Sequence, residues 1–352
     1  MNVVRNTNFD RYESEPAAPG SGAAACAIVP AYRAADSVCD VVRHVLAHVA
    51  LVIVIDDACP QGSGERVREA FADDPRVVVA MRQVNGGVGA AMKTGIAIGL
   101  EAGARYIVKV DADNQMDAAL IPSIIGMFEE NPDVVFVKGN RFTSASALSA
   151  MPKVRLFGNA ALSIMAKFST GYWNILDPTN GYVAFRADFL STVAWREFAN
   201  SYFFELSVLC ELGLQQAQIA ELEMPAQYGT HPSSLSITRV IFEFPPKLLV
   251  ALFRRVFLQY FVFDFNLCTL FILFSVALIS VGVVLAGIEY VQSQVTQIPR
   301  TTGTVMLAVL PLLIGIQLMI SALMYDVQSS RIVLRSAGTR SRSRRARIVT
   351  HI

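Results

Sequence analysis

Arg105-Tyr106-Ile107-Val108-Lys109-Val110-Asp111-Ala112-Asp113-Asn114-Gln115 is the stretch from which this chain can be read. Residues 106–110 have the β-branched, largely apolar character of a buried strand, and the strand runs out onto two aspartates one residue apart. Alternate residues of an extended segment face the same way, so both carboxylates can reach one site. Mg2+ and Mn2+ prefer oxygen ligands and leave positions free for phosphate oxygens, and Gln115 adds an amide oxygen on the same side. A bare Asp-x-Asp is also a common solvated turn. Its place after an apolar strand in a repeating strand–helix pattern favours a cation held against a diphosphate.

That pattern extends on both sides. Residues 24–29 form a short apolar run closed by Pro30, and residues 36–49 repeat apolar groups at helical spacing (Val38, Val41, Val42, Val45, Leu46). Residues 51–55 are a second β-branched strand, ending on Asp56-Asp57. A helix is expected from Gly62-Ser63-Gly64 to Phe71, a strand at 76–80 and a helix at 89–102. Strands are expected at 134–138 and 182–185, with helices at 153–168 and about 203–214. Strands alternating with helices in short units predict an α/β fold with a mostly parallel sheet flanked by helices. Ligands of such sheets gather beyond the strand C-terminal ends, and Asp57 and Asp111 both fall there.

The last third changes character. Residues 247–265 set Lys247, Arg254 and Arg255 among leucines and phenylalanines, as an amphipathic helix at a membrane interface does; a core helix of a soluble domain has the same pattern. Residues 267–288 and 301–325 carry no charged side chain, and each exceeds the ~20 residues needed to span a bilayer. Residues 331–352 hold seven arginines and no acid. With Arg254 and Arg255 ahead of the first span, positive-inside logic puts the N-terminal unit and the basic tail of residues 327–352 in the cytoplasm. An integral protein of the cell (inner) membrane is expected, with membrane lipid rather than nucleic acid as the partner of the arginines. The first 22 residues lack an apolar h-region, so a disordered lead-in is expected rather than a cleavable signal peptide. The α/β unit is assigned to residues 23–238, juxtamembrane helices to 239–266 and two spans to about 267–288 and 303–325.

Several other chemistries find no support. The five cysteines are scattered without metal or disulfide spacing, and the four histidines have no persuasive metal spacing. There is no Gly-x-Ser-x-Gly. Asn85-Gly86-Gly87-Val88-Gly89 follows the third strand rather than the first and lacks dinucleotide-binding spacing; Ala90, Ala91 and Gly95 suggest close helix–sheet packing instead. Asp57 could accept hydrogen bonds from a base or ribose, or close an Asx turn. Tyr32 could meet a nucleotide or pack at the sheet edge. Arg141, Lys153 and Arg155 form a basic group suited to phosphate. Glu205 suits a base, a substrate-orienting group or a structural partner, and sequence alone does not choose.

Taken in order, Val29-Pro30-Ala31-Tyr32, Val54-Ile55-Asp56-Asp57, Asn85-Gly86-Gly87-Val88-Gly89-Ala90, Val110-Asp111-Ala112-Asp113-Asn114-Gln115, Gly139-Asn140-Arg141-Phe142, Asp177-Pro178-Thr179-Asn180-Gly181 and the paired spans resemble the family 2 glycosyltransferases of the GT-A fold. The branch most similar is that of polyprenyl-phosphate glycosyltransferases, which includes dolichol-phosphate mannose synthases. The resemblance implies that Pro30, Tyr32, Asp57, Asn85 and Asp111 meet a nucleotide sugar. It implies that Asp111, Asp113 and Gln115 hold Mg2+ or Mn2+, and that Arg141, Arg155 and Asn159 receive a lipid phosphate. The segment 228–234 falls where the family has a mobile loop over the donor. Arg33-Ala34 replaces the family's frequent Asn-Glu, His231 stands where an acid is frequent, and the Gln-x-x-Arg-Trp of processive synthases is absent.

The expected activity is inverting, metal-dependent transfer of a hexose from a UDP- or GDP-linked sugar to polyprenyl phosphate, with Asp113, Arg141, Arg155 and Glu205 as catalytic groups. Paired spans could also associate as a homo-oligomer. Three alternatives stay open: a transferase acting on a lipid hydroxyl, with Glu205 as base; a membrane-bound nucleotidyltransferase; and a non-catalytic nucleotide-sugar-binding scaffold.

Overall fold

The computed structural model describes residues 25–142, 153–224 and 237–337. The lead-in, the 228–234 segment with His231 and the tail beyond residue 337 lie outside them. An eight-stranded sheet runs in the order β3-β2-β1-β4-β6-β5-β7-β8. The strands are β1 (Ala25–Ala31), β2 (Leu51–Asp56), β3 (Val77–Met81), β4 (Tyr106–Lys109), β5 (Val134–Asn140), β6 (Val183–Arg186), β7 (Gln218–Glu223) and β8 (Leu334–Ala337). The helices are α1 (Val38–Leu46), α2 (Ser63–Ala70), α3 (Val88–Glu101), α4 (Ile121–Glu130), α5 (Lys153–Thr170), α6 (Phe204–Leu214), α7 (Ile237–Phe257), α8 (Leu267–Thr296) and α9 (Thr302–Ser329).

The central strands read as unbroken apolar runs because both sheet faces are covered. Side chains alternate between faces, so one run feeds two cores. Cys26, Ile28, Ile53 and Ile55 pack with Met92 and Ile96 of α3 and with Phe204, Leu209 and Leu212 of α6. Ala27, Val29, Val52 and Val54 pack with Val41, Val42 and Val45 of α1 and Ile124 and Phe128 of α4. A Cβ on Gly95 would come 2.4 Å from Ile28, so α3 lies on the sheet at a distance only glycine allows.

Seven strands run parallel, and β6 alone is reversed, pairing antiparallel with both β4 and β5. The reversal positions the site. The turn entering β6 starts at the edge where β4 and β5 end, so Asp177–Gly181 lies beside Asp111 and Arg141.

α7 is half core helix and half surface: Phe244 and Leu248 are buried, while Val250, Phe253 and Phe257 are exposed. The helix widens into a π-turn over Leu258–Phe263. α8 and α9 are long and apolar enough to cross a membrane, with mean hydropathies of 2.7 and 2.3. They pack closely where small residues meet. Ser275 Oγ donates to Gly315 O at 2.8 Å, and a Cβ on Gly282 would come 2.5 Å from Leu312. α8 continues beyond the uncharged stretch to Thr296, where Glu289 pairs with Arg300 at 3.0 Å.

Two features depart from the sequence expectation. Part of the segment read as a tail returns to the sheet: β8 pairs with β7 in parallel, Glu221 opposite Arg335. Both ends of the α8–α9 hairpin therefore lie on the side of the α/β unit. Arg255, read as a charge flanking the first span on an interfacial or core helix, is 3% exposed. It forms a fork with Asp326 at 2.8 and 2.9 Å. Tyr260 Oη and Trp173 Nε1 also donate to that carboxylate. A charge this buried is stable only when its hydrogen bonds are met.

Candidate active site at the strand ends

Most buried charges of the α/β unit collect at the C-terminal edge of the sheet. Lys109, Lys138, Asp177, Glu205 and Glu221 are all buried, and one five-residue turn, Asp177-Pro178-Thr179-Asn180-Gly181, touches three of them.

At the Gly181 end, Lys109 Nζ donates to Gly181 O at 3.1 Å and to Asp111 Oδ1, and lies 3.2 Å from Glu205 Oε1. An ammonium has three protons, and each has an acceptor. Burial opposes the charge on Lys109, but Asp111 and Glu205 outweigh it and raise its pKa above the ordinary lysine value. A side chain on Gly181 would intrude: its Cβ would come 2.9 Å from Lys109 Nζ and 3.0 Å from Asp111 Oδ2.

β4 ends at Lys109, and the chain turns at Ala112–Asp113 instead of staying extended as the sequence reading expects; Asn114 then takes a left-handed conformation with φ 58°. Gln115 N donates to Asp113 Oδ1 at 3.1 Å. Burial, then the neighbouring Asp111 carboxylate, push Asp113 above the usual carboxylate range, a cost that a cation bound between them would relieve. Among the described residues no group of three or more His, Cys, Asp or Glu side chains could hold a metal. The donor set expected from the sequence, Asp111, Asp113 and Gln115, is two carboxylates and an amide, all oxygen. That set fits a hard cation whose remaining positions are filled by phosphate oxygens, and does not fit a closed structural metal centre.

At the Asp177 end, Arg141 leaves β5 and is clasped by a fully buried carboxylate. Its Nε and NH2 donate to Asp177 Oδ2 and Oδ1 at 2.8 and 3.1 Å, and its backbone N donates to Oδ2 at 3.2 Å. The Arg141 side chain remains 35% exposed. Glu221 Oε1 accepts the amides of Leu176 and Asp177 at 3.0 and 3.2 Å and so holds this turn from below. Burial raises the Glu221 pKa, opposed by those amides and Arg335. Lys138 Nζ donates to Asn180 O. Burial pushes Lys138 down to about 8, although Asp177 and Glu205 pull the other way.

On the β1–β3 side, Asp56 is an internal clamp: its oxygens accept the amides of Cys59 and Gly64, both at 2.7 Å. Asp57 accepts Gly86 N at 3.0 Å and Gly87 N at 2.8 Å and lies 3.2 Å from Arg82. Its oxygens are thus already engaged in holding the glycine loop, and a nucleotide contact would share them. The loop's glycines admit a close neighbour: Gly89 N donates to Asn200 O at 2.8 Å, and a Cβ on Gly89 would come 2.0 Å from Ala199 O. Asn85 and Tyr32 are exposed at the same edge, Tyr32 under Arg33, and Pro30 pairs with Ile55 inside the sheet.

The structure therefore joins Asp111, Glu205 and Arg141 through the turn, with Asp113 and Gln115 following Asp111. Arg155 and Asn159 lie in α5, where their side chains fall outside the described residues. Lys109, Lys138, Asp177 and Glu221 were not singled out from sequence as site residues. A visible signal did exist for the lysines: each interrupts an apolar strand, and Lys109 is in period-two register with Asp111 and Asp113.

The chain is similar to known proteins over its α/β unit. Residues 26–193 match the family model described as Glycosyl transferase family 2. Undecaprenyl-phosphate mannosyltransferase of Micrococcus luteus is 32% identical over 142 residues, covering 40% of this chain and 57% of that protein. Polyprenol monophosphomannose synthase of Mycolicibacterium smegmatis is 29% identical over 143 residues, covering 40% and 53%. The chain spans a little over half the length of these relatives. Glucosyl-3-phosphoglycerate synthase from Mycobacterium tuberculosis, solved with phosphoglyceric acid, shares the GT-A fold. Its TM-score is 0.50 at 15% identity, covering 66% of this chain and 80% of that one. Residues 26–193, which carry the aspartate pair, Arg141 and Asp177, are a glycosyl transferase family 2 domain.

Proposed function

We propose that the protein transfers a hexose, with inversion, from a nucleoside-diphosphate sugar to a polyprenyl phosphate at the cytoplasmic face of a membrane. The observation that carries this reading is the single turn 177–181. Its Gly181 end abuts Asp111 and its Asp177 end clasps Arg141, so a donor diphosphate and an acceptor phosphate would meet across it. The names of the two curated relatives make mannose the first sugar to test.

In this reading Asp111, Asp113 and Gln115 hold Mg2+ or Mn2+ against the donor diphosphate. The cation supplies charge stabilisation to the departing nucleoside diphosphate. Tyr32, Asn85 and the Pro30 strand end line the nucleotide side, with Asp57 supporting the loop that bears Asn85. Arg141, with Arg155 and Asn159, orients the acceptor phosphate in line with the anomeric carbon. The attacking phosphate oxygen is already an anion, so no side chain need remove a proton. The pairing of Glu205 with Lys109 supports this choice over a hydroxyl acceptor, because a carboxylate neutralised by a buried ammonium is a poor base. Arg331, Arg335 and the arginines beyond support the cytoplasmic orientation.

The test uses purified full-length protein in detergent with undecaprenyl phosphate and a panel of labelled UDP- and GDP-sugars, with and without chelator. One nucleotide sugar should yield a labelled lipid with release of nucleoside diphosphate, and Asp113→Ala should abolish transfer while the protein stays folded. Undiminished transfer in excess EDTA, or normal turnover by Asp113→Ala, would remove the metal assignment. Release of pyrophosphate would instead identify a nucleotidyltransferase.

A further inference from the structure

The loop of residues 171–177 runs from the end of α5 to the carboxylate that clasps Arg141, and it is laced to the segment leaving the second span. Trp173 Nε1 donates to Asp326 at 3.0 Å. Ser330 Oγ donates to Gly171 O at 2.7 Å and accepts from Trp173 N at 3.3 Å. Arg335 NH2 donates to Asn174 O at 2.5 Å. On β8, Arg335 is the register partner of Glu221, with its Nε 3.6 Å from Glu221 Oε2. That oxygen accepts no hydrogen bond, whereas Oε1 holds the amides of Leu176 and Asp177.

A surface ion pair contributes little to stability, but this pair is lopsided. The Glu221 side chain is 0% exposed and that of Arg335 is 43% exposed. Removing the arginine would leave a buried anion short of its compensating charge. That anion would then shift at the one place where it holds the Asp177 amide. Each link from Arg335 to Arg141 is a named polar contact, and none passes through the aspartate pair.

We propose that Arg335 is a positioning residue for the acceptor phosphate, acting through Glu221 and the 171–177 loop to fix Asp177 and thereby the guanidinium of Arg141. This rests on the acceptor reading above. It adds that the strand delivered by the membrane hairpin sets the acceptor site and leaves the donor site alone.

Full-length protein in detergent is assayed with undecaprenyl phosphate varied at saturating donor, then with donor varied at saturating acceptor. Arg335→Ala should raise the acceptor KM roughly tenfold, the size of effect that loss of a supporting shell commonly has. The donor KM should stay at its wild-type value, and any fall in the unfolding midpoint should be small, because Arg335 is half-exposed and water can take over part of its role. Glu221→Gln should act in the same direction, and the double variant should be no worse than the stronger single one, because both break one chain of contacts. Arg335→Lys keeps the charge but cannot serve both Glu221 and Asn174 O, and should restore part of the effect. It also decides on the same readout if Arg335→Ala does not accumulate in membranes. An unchanged acceptor KM in these variants overturns the positioning role, as does a parallel rise in both KM values with a lowered midpoint. Wild-type protein inert toward polyprenyl phosphate would sink the acceptor reading itself, and the positioning role with it.

Discussion

Replacing Lys109 by methionine tests the centre of the site without any assumption about substrate. The ammonium serves three acceptors, and their exposures differ. The Asp111 side chain is 32% exposed and Glu205 only 10%. After Lys109→Met, water can compensate part of the Asp111 charge but almost none of the Glu205 charge, and Gly181 O loses a donor. Stranding one member of a buried ion pair costs about 3–5 kcal/mol, mostly because the remaining charge is uncompensated. The orphaned carbonyl adds about 1 kcal/mol. The double variant Lys109→Met/Glu205→Gln should recover most of this loss, ending within about 1–2 kcal/mol of wild type, because a neutral amide replaces the stranded anion. Thermal unfolding of the two variants in one detergent, followed by circular dichroism, measures the difference. A single variant as stable as wild type, or a double variant no better than the single, would refute the view of Lys109 as the bridge between Asp111 and Glu205.

Gly181→Ala should cost about 1–3 kcal/mol by overpacking against Lys109 and Asp111, and displacement of the aspartate should slow transfer about a hundredfold; a kcat within twofold of wild type would contradict this. Lys138 is pushed down to about 8 from 10.5, so above pH 8 the unfolded chain binds the extra proton and this residue's contribution makes stability rise between pH 8 and 10.5. Lys138→Met should flatten that rise, which melting midpoints across the range would detect. Asp326→Asn breaks the fork to Arg255 and weakens the bonds from Tyr260 and Trp173. It should destabilise the protein by about 3–5 kcal/mol, read as a lower melting midpoint and a poorer yield from membranes.

Local signals in the sequence located most of the frame. Short apolar runs marked β1, β2 and β4, the last two leading onto acids, and uncharged stretches marked the spans, because burial on both faces and burial in lipid each impose composition directly. What stayed hidden depends on contacts distant in sequence. β7 carries glutamates at 221 and 223 and is broken in pattern. β8 is four residues long and sits in an arginine-rich segment. Neither shows its pairing without the other. α4, with a proline in its first turn, is not among the helices expected from the sequence. At the site, the acid pair and Arg141 were legible from residue type and position. The clasp of Asp177 on Arg141 was not, since 36 residues separate the partners and only the reversal of β6 brings them together. Arg255 shows the opposite error: a cation beside apolar sequence looks like a headgroup contact, and only the fold supplies Asp326 to bury it.

The order in which the chain is made gives the edge strand another meaning. β8 emerges from the ribosome after both hydrophobic segments, yet its partner β7 was finished long before. Until the hairpin has inserted and turned back, β7 offers an open row of amides and carbonyls to any passing strand, and Glu221 lacks its counter-charge. A nascent chain whose second segment stalls in the translocon would keep that edge exposed and sticky. A shortened, water-soluble version cut before residue 267 would inherit the same defect. Grafting residues 330–337 back onto such a chain through a flexible linker would supply the missing strand without the bilayer.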